Sequence, residues 1–163
     1  MANVIDVAVV DDRWNDQLED AGIHSRRAAT AALKGAGLER PGGFEVSIVL
    51  ADDRMVRGLN RKFRGIDKST NVLAFPAEAK GTPDLRPRPM GDVVLAFQTV
   101  QAEAKAQSKT LAAHLTHLVV HGVLHLIGHD HENGAEADAM EALEAAILKR
   151  LGIADPYLVS DPA

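Results

Sequence analysis

Histidine is concentrated in one short segment of this 163-residue chain. Six of the seven histidines lie within 18 residues, at positions 114, 117, 121, 125, 129 and 131. With about 100° of rotation per helical residue, His121 and His125 lie about 40° apart on one face, one turn from each other. Their imidazole rings can therefore converge on a single ion, which makes this segment a candidate metal site.

His131 is the candidate third ligand. It lies six residues after His125 and could not reach the same ion if the helix continued straight. Gly128 suits the left-handed position that ends many helices and turns the chain back. We therefore expect one metal ion bound by His121, His125 and His131. Three imidazoles with a fourth position for water are the composition of a hydrolytic zinc site, although Ni²⁺, Cu²⁺ and Fe²⁺ also suit such ligands.

The spacing His-x3-His-x2-Gly-x2-His is also that of the metzincin proteases. Their general-base glutamate would stand at position 122, which is a glycine here. The metal ligands are kept and the protease base is absent. A metallopeptidase is therefore the least favoured of the hydrolase hypotheses.

Four further residues of the segment are candidates for contacts behind the metal ligands. His114 and His117 share the ligand face of the helix, where hydrogen bonding to a ligand and simple packing or capping explain them equally well. His129 and Asp130 lie in the turn, and we expect Asp130 to orient a ligand imidazole. The acidic residues of the last helix, among them Glu144, are expected on a solvated face.

The elements that position these residues follow from apolar periodicity. It predicts strands over 4–10, 44–50, 71–75 and 92–97. It predicts helices over 16–36, 53–64, from 98 onward, 110–127 and 135–151. The proline- and glycine-containing segment 80–91 is predicted as an exposed loop. Together they favour an α+β (mixed α/β) fold, a single domain over residues 1–163 with one small, about four-stranded mixed sheet, about five helices and the three-histidine site at the end of a central helix.

Composition excludes several function classes. The chain has no cysteine, which rules out disulfide scaffolds, thiolate metal sites and cysteine nucleophiles. The first residues lack a signal-peptide pattern, and the most apolar stretch, 118–128, is too short to span a bilayer. We therefore expect a soluble, cytoplasmic protein with no membrane partner.

The charge distribution is uneven. The net charge of −5 looks unfavourable for binding nucleic acid, but nine basic residues face only three acids between Arg54 and Arg88. A local cationic block of this kind can follow a phosphate backbone. The candidate RNA-binding residues are Arg54, Arg57, Arg61, Lys62, Lys68, Arg86 and Arg88.

Three blocks of the sequence resemble the YbeY family of bacterial zinc-dependent, single-strand-specific endoribonucleases involved in ribosomal RNA maturation. The first is the histidine segment His-Gly-x-Leu-His-Leu-x-Gly-x-Asp-His at 121–131. The second, 59–76, contains Leu-Asn-Arg-Lys-Phe-Arg and Ser-Thr-Asn-Val-Leu-Ala-Phe-Pro, and the third is Gly-Asp-Val-Val at 91–94. The sequence departs from the family pattern at Ser69, Ala74 and His129, where the family usually has proline, serine and tyrosine.

The resemblance implies that His121, His125 and His131 bind one zinc ion and that Arg64 is the family's functionally important arginine. It further implies cleavage of single-stranded pre-ribosomal RNA, at the 3′ end of the small-subunit RNA, and a part in ribosome quality control. The expected partners are the small subunit or its assembly factors, and not DNA. Metal-bound water and the RNA 2′-hydroxyl both remain open as the nucleophile.

A second hypothesis makes the zinc structural and the protein a ribosome-assembly factor that only binds RNA. Structural zinc normally has four protein ligands. Completion of the ligand shell by Asp130 or His114 would favour this hypothesis, and an open fourth position would favour the enzyme.

Overall fold

The computed structural model describes residues 3–78, 86–129 and 133–157. Within them, four strands form one sheet: β1 (Val4–Val9), β2 (Phe44–Ala51), β3 (Val72–Pro76) and β4 (Arg88–Ala96). The strand order is β1-β2-β4-β3, with β1, β2 and β4 parallel and β3 antiparallel to β4. The predicted four-stranded mixed sheet is confirmed, and β3 is one of its edges.

Six helices occur in the described part of the chain: α1 (Arg13–Gln17), α2 (Ala21–Gly35), α3 (Asp53–Arg64), α4 (Phe97–Ala106), α5 (Leu111–Ile127) and α6 (Gly134–Arg150). The predicted mixed α/β class is confirmed. α5 is the central helix, in contact with α2, α4, α6, β3 and β4. No helix of the described ranges could cross a bilayer alone by length and apolarity; α4 and α5, bent by 117°, meet that criterion only as a pair.

Both faces of the sheet are covered. Alternate residues of β2, such as Val46 and Ile48, are buried in the main core with α2 and α5. A smaller cluster on the other face joins Val56 of α3 to Leu73 of β3 and Val94 of β4. Because β3 is an edge strand between α3 and α5, side chains from the end of α3 can reach the face on which α5 lies.

Two predicted boundaries were wrong. The helix predicted over 16–36 is divided into α1 and α2, because Asp20 adopts a left-handed conformation with φ of 55°. The predicted loop 80–91 ends earlier, since β4 begins at Arg88 and pairs with β2 through an irregularity in register. Gly91 is required there, because a Cβ would fall 2.2 Å from the carbonyl oxygen of Phe75. Residues 80–85 of that segment lie outside the described ranges.

Both ends of α5 agree with the prediction. The Thr110 hydroxyl accepts a hydrogen bond of 3.0 Å from the N–H of Ala113 at the helix N-terminus. At the other end Gly128 has φ of 109°. The N–H groups of Gly128 and His129 donate to the carbonyls of His125 and Leu124, which is the Schellman arrangement. The helix therefore ends where the metal-ligand spacing requires a turn.

Candidate metal and RNA site

His121 and His125 meet on a partly exposed side of α5. Their Nε2 atoms lie 3.0 Å apart and their ring centroids 4.6 Å apart. In a tetrahedral zinc site with Zn–N bonds near 2.05 Å, two ligand nitrogens are separated by about 3.3 Å. The two imidazoles therefore fit two ligand positions of one ion with only a small adjustment. The predicted third ligand, His131, and its neighbour Asp130 lie outside the described residues.

A buried carboxylate lies behind His121. Glu144 of α6 is fully buried, and its Oε1 lies 2.5 Å from Nδ1 of His121. Its Oε2 lies 3.2 Å from Nε2 of His117 and accepts a hydrogen bond of 2.5 Å from the hydroxyl of Tyr157. One carboxylate thus connects two histidines of α5 to the C-terminal segment of the described chain.

Glu144 was expected on a solvated face, and this expectation was wrong. The helix places it four residues after Met140 and three before Ile147, both of which are buried. It therefore lies on the apolar stripe of α6. A charged residue on such a stripe is the sequence signal that could have identified it, because buried carboxylates require partners. Nothing local in the sequence pointed to Tyr157.

The electrostatics of Glu144 depend on these partners. Burial alone would raise the pKa of its carboxyl group, but hydrogen bonds from His117, His121 and Tyr157 outweigh burial and lower the pKa to about 2. Burial and the same contact raise the pKa of Tyr157 above its usual range. The carboxylate is therefore ionised at neutral pH while the phenol keeps its proton to donate.

His117, His121 and Glu144 also form a group that could hold a metal ion. Each offers one ligand atom, and these atoms lie within 4.8 Å of one another. In this group Nδ1 of His121 faces the carboxylate, whereas Nε2 of the same ring faces His125. The two arrangements therefore use opposite nitrogens of one imidazole.

His114 has a different environment. Its ring is buried, with Nε2 2.9 Å from Oε1 of Glu103 in α4. Glu103 also accepts a hydrogen bond of 3.0 Å from Nδ2 of Asn71, just before β3. Burial lowers the pKa of His114, which favours the neutral ring. His114 thus connects α5 to α4 and to a residue that lines the cleft beside the other histidines.

Arg64, the last residue of α3, lies at this cleft. Its Nη2 donates to the carbonyl oxygen of Ala74 in β3 at 3.2 Å. Its guanidinium lies 5.9 Å from the ring centroid of Phe75. The cleft has a volume of about 590 Å³, and the predicted site residues that line it are Arg64, His121, His125 and His129. Residues distant in sequence are thereby brought to one surface.

Position 122, where a metzincin carries its base, faces the sheet. A Cβ on Gly122 would lie 2.6 Å from Cγ1 of Val93 and 3.5 Å from Cγ2 of Val72. Gly122 lines the cleft, but a Cβ there would collide with Val93 of β4. The glycine is thus explained by the packing of α5 on the sheet.

Comparison with known proteins identifies the family. The sequence profile of the family described as endoribonuclease YbeY matches residues 10–152. The chain belongs to the YbeY family. The endoribonuclease YbeY of Azorhizobium caulinodans is 54% identical over 153 residues, covering 94% of this chain and 95% of that one. That of Paramagnetospirillum magneticum is 51% identical over 147 residues, covering 88% and 89%.

The fold agrees with that of a solved structure. A solution structure of a Thermotoga maritima protein aligns over 98% of this chain and 99% of its own, with a TM-score of 0.54 and 23% identity. This likeness concerns the fold alone. The family match and the curated YbeY relatives confirm both the predicted resemblance and the enzyme class, a hydrolase that cleaves RNA.

The candidate RNA-binding residues of this chain have three kinds of surroundings. Arg57 is exposed on α3 and bonds to Asp67 through Nε at 2.8 Å, which lowers the pKa of Asp67. Arg86 packs against the backbone at Gly42, and neither it nor Arg88 lines the cleft. The other candidates are exposed on α3 or just after it: Arg54, Arg61, Lys62 and Lys68.

Proposed function

We propose that this chain is a cytoplasmic, zinc-dependent endoribonuclease specific for single-stranded RNA. Its zinc ligands are His121, His125 and His131, and one hydrolase domain spans residues 1–163. The observation that carries the proposal is the convergence of the Nε2 atoms of His121 and His125 at one cleft with the guanidinium of Arg64. That cleft unites a candidate metal position with a candidate phosphate-binding group.

The substrate in this proposal is precursor ribosomal RNA, cut at the 3′ end of the small-subunit RNA, with a further part in ribosome quality control. The names of the curated relatives support RNA cleavage. The exposed cations of α3 support a polyanionic ligand that approaches from one side. The small subunit or its assembly factors are the proposed partners, and DNA is not.

Zinc bound by the three histidines would act as a Lewis acid on the scissile phosphate or lower the pKa of a water molecule toward ~7. Arg64 supplies the phosphate contact. Its guanidinium has five N–H donors in a planar fork, and the bond to the Ala74 carbonyl anchors one side of that fork. The anchored group loses little side-chain entropy when it binds phosphate, which a flexible lysine could not match.

An RNA cleavage assay with matched metal analysis tests this function. We expect purified protein with about one zinc per chain to cut single-stranded RNA and not the same sequence as a duplex. A chelator should abolish cleavage, and zinc should restore it. His121→Ala should lose both metal and cleavage. Arg64→Ala should keep the metal and lose about 100-fold in cleavage rate, with Arg64→Lys recovering only part of it.

His24→Ala is the matched control, because His24 is the one histidine outside the cluster and lies in α2. It should bind zinc and cut RNA like the unmodified protein. Cleavage that persists in a preparation free of metal would overturn the proposal. The proposal would also be overturned if His121→Ala still contained about one zinc ion per chain.

A second candidate function is that of an RNA-binding factor with a structural metal. The grouping of His117, His121 and Glu144 favours it, because the carboxylate of this group has no solvent exposure. It requires RNA binding without cleavage, and zinc loss in His117→Ala instead of in His125→Ala. The same assays therefore separate the two functions.

A further inference from the structure

We propose that Glu144 is a positioning residue that holds His121 with its Nε2 directed at the zinc ion, and is not itself a ligand. This inference rests on the proposed zinc site. It concerns the orientation and proton position of one imidazole. The observations that carry it are the hydrogen bonds around the Glu144 carboxylate.

The contact with Glu144 fixes which nitrogen of His121 carries a proton. The carboxylate of Glu144 accepts at Oε1, 2.5 Å from Nδ1 of His121. A carboxylate oxygen can only accept, so the proton of this bond belongs to Nδ1 of His121, and a metal can bind this ring only through Nε2. Its Nε2 then carries the lone pair, and Nε2 is the atom directed toward His125. Carboxylate, histidine and metal in this order form a recurrent arrangement that fixes the tautomer and raises ligand basicity.

Glu144 itself is held by two further hydrogen-bond donors. Nδ1 of His117 is buried and has no hydrogen-bond partner among the described residues. The proton of neutral His117 is therefore favoured on Nε2, which donates to Oε2 of Glu144 at 3.2 Å. The Tyr157 hydroxyl donates to the same oxygen. Three donors thus fix both oxygens of a carboxylate that has no solvent exposure.

The contacts of His121 argue against Glu144 as a metal ligand. For Glu144 to act as a ligand with His117 and His121, a metal ion would have to replace the protons that the two histidines donate. His121 would then bind through Nδ1, and the 3.0 Å contact between its Nε2 and Nε2 of His125 would be only a hydrogen bond between the two rings. The positioning role explains that approach together with the three hydrogen bonds.

Zinc affinity measured by competition with a chromophoric chelator tests the proposal. Glu144→Gln should weaken zinc binding about 10- to 100-fold, because a neutral amide cannot accept from all three donors. Tyr157→Phe should cause a smaller loss. His125→Ala should cause the largest loss, and His117→Ala a loss no larger than that of Glu144→Gln. Glu136→Gln is the control, since it removes the same charge from an exposed position of α6.

A spectroscopic measurement distinguishes loss of His121 positioning from loss of the folded structure. Long-range ¹H–¹⁵N spectra of the metal-free protein should show His121 protonated on Nδ1, and Glu144→Gln should shift it toward a mixture of tautomers. Glu144→Asp should restore part of the Nδ1 tautomer. Circular dichroism and thermal melting confirm that each variant is folded, and Tyr157→Phe keeps the test valid if the Glu144 variants do not fold.

The positioning role is overturned if His117→Ala abolishes zinc binding while His125→Ala does not. It is also overturned if folded Glu144→Gln binds zinc like the unmodified protein. Neither measurement involves RNA. A failure of the proposed ribonuclease activity would therefore leave these outcomes unaffected, and the two proposals can fail separately.

A different observation, the exposed apolar surface at the end of α3 and just after it, carries a second inference. Phe63 is 60% exposed and Ile66 is 50% exposed, although both are large apolar residues. They are surrounded by exposed cations, and Nζ of Lys62 lies 5.2 Å from the centroid of the Phe63 ring. Exposed aromatic rings within a cationic surface are the means by which proteins bind single strands, through base stacking and phosphate contacts.

The Phe63 ring lies near the cleft, because it packs against Phe75, which in turn contacts Arg64. Its centroid lies 5.4 Å from that of Phe75, and the Arg64 guanidinium lies 5.9 Å from the same Phe75 ring. Phe63 is therefore one aromatic ring away from the proposed phosphate-binding group. We infer that a base of the single-stranded RNA substrate, near the phosphate held by Arg64, stacks on Phe63. The inference rests on the proposed function.

Equilibrium binding of a short single-stranded RNA, measured with chelator present so that no cleavage occurs, tests this inference. Phe63→Ala should weaken binding at least about fivefold, and Phe63→Trp should restore it. Ile23→Ala is the control, because Ile23 is 49% exposed on α2. Binding by Phe63→Ala equal to that of the unmodified protein would overturn the stacking role whether or not the protein cuts RNA.

Discussion

Gly122 of α5 lies so close to Val93 of β4 that a Cβ at position 122 would fall 2.6 Å from Cγ1 of Val93. Both residues are buried, so neither can move aside into solvent. We expect Gly122→Ala to lower the free energy of unfolding by about 1–3 kcal/mol through overpacking. Urea unfolding followed by circular dichroism measures the change.

The double variant Gly122→Ala, Val93→Ala isolates this contact. Removing the Val93 methyl groups makes room for the new Cβ, so the cost of Gly122→Ala should shrink in the Val93→Ala background. An equal cost in both backgrounds would show that the glycine is required for another reason. Gly122→Glu should gain no peptidase activity, because its Cβ would collide with Val93 and displace the helix that carries His121 and His125.

Zinc should stabilise the folded chain by mass action. A ligand that binds only the folded state at 100 times its Kd adds about 2.7 kcal/mol to the free energy of unfolding. We therefore expect chelator to lower the Tm of the unmodified protein and zinc to restore it. In His125→Ala the Tm should respond much less to either addition. Differential scanning calorimetry checks this, and a Tm of His125→Ala that follows zinc as strongly as before would contradict the assignment.

The pH dependence of stability should include a contribution from His114. Burial lowers the pKa of its ring in the folded state below the ordinary value of 6.5, and Nδ1 has no hydrogen-bond partner within the described residues. The unfolded chain therefore binds the proton more readily. The stabilisation is complete above pH 6.5 and is lost as the pH falls toward the folded-state pKa.

Comparison with His114→Gln isolates this contribution. Glutamine can still donate to Glu103 but does not titrate. With chelator present, so that metal binding does not contribute, the free energy of unfolding of the unmodified protein should fall more steeply below pH 6.5 than that of the variant. Parallel pH profiles for the two proteins would show that His114 is protonated equally in both states.

The sequence allowed much of the central helix to be predicted, because its signals are local. The cap at Thr110, the histidine period and Gly128 each act within a turn or two, and the structure agrees at both ends of α5. Glu144 could not be placed in the same way. Its burial depends on His117 and His121, which are more than 20 residues away in sequence and on a different helix.

The division of the first predicted helix has a similar explanation. Alanine-rich periodicity continues through the segment, but Trp14 of α1 is buried and donates to the carbonyl of Ala51 at the end of β2. That long-range contact fixes α1 separately from α2, and the chain bends at Asp20 between them. Periodicity shows which face of a helix is apolar. It does not show which distant carbonyl will accept a hydrogen bond from a side chain.

Salt should weaken RNA binding mainly because it competes with the cations of α3. Arg86, just before β4, should contribute much less. Each phosphate contact to a single strand contributes about 0.7 to the slope of log K against log salt. Arg61 and Lys62 are exposed on α3, close to Arg64, whereas Arg86 packs against Gly42. We therefore expect Arg61→Ala and Lys62→Ala each to reduce the slope by about 0.7 and Arg86→Ala to leave it nearly unchanged. Titrations of a fluorescent single-stranded RNA at several salt concentrations, with chelator present, measure these slopes. A larger effect of Arg86→Ala than of the α3 variants would show that the RNA contacts the region of Arg86 instead of α3.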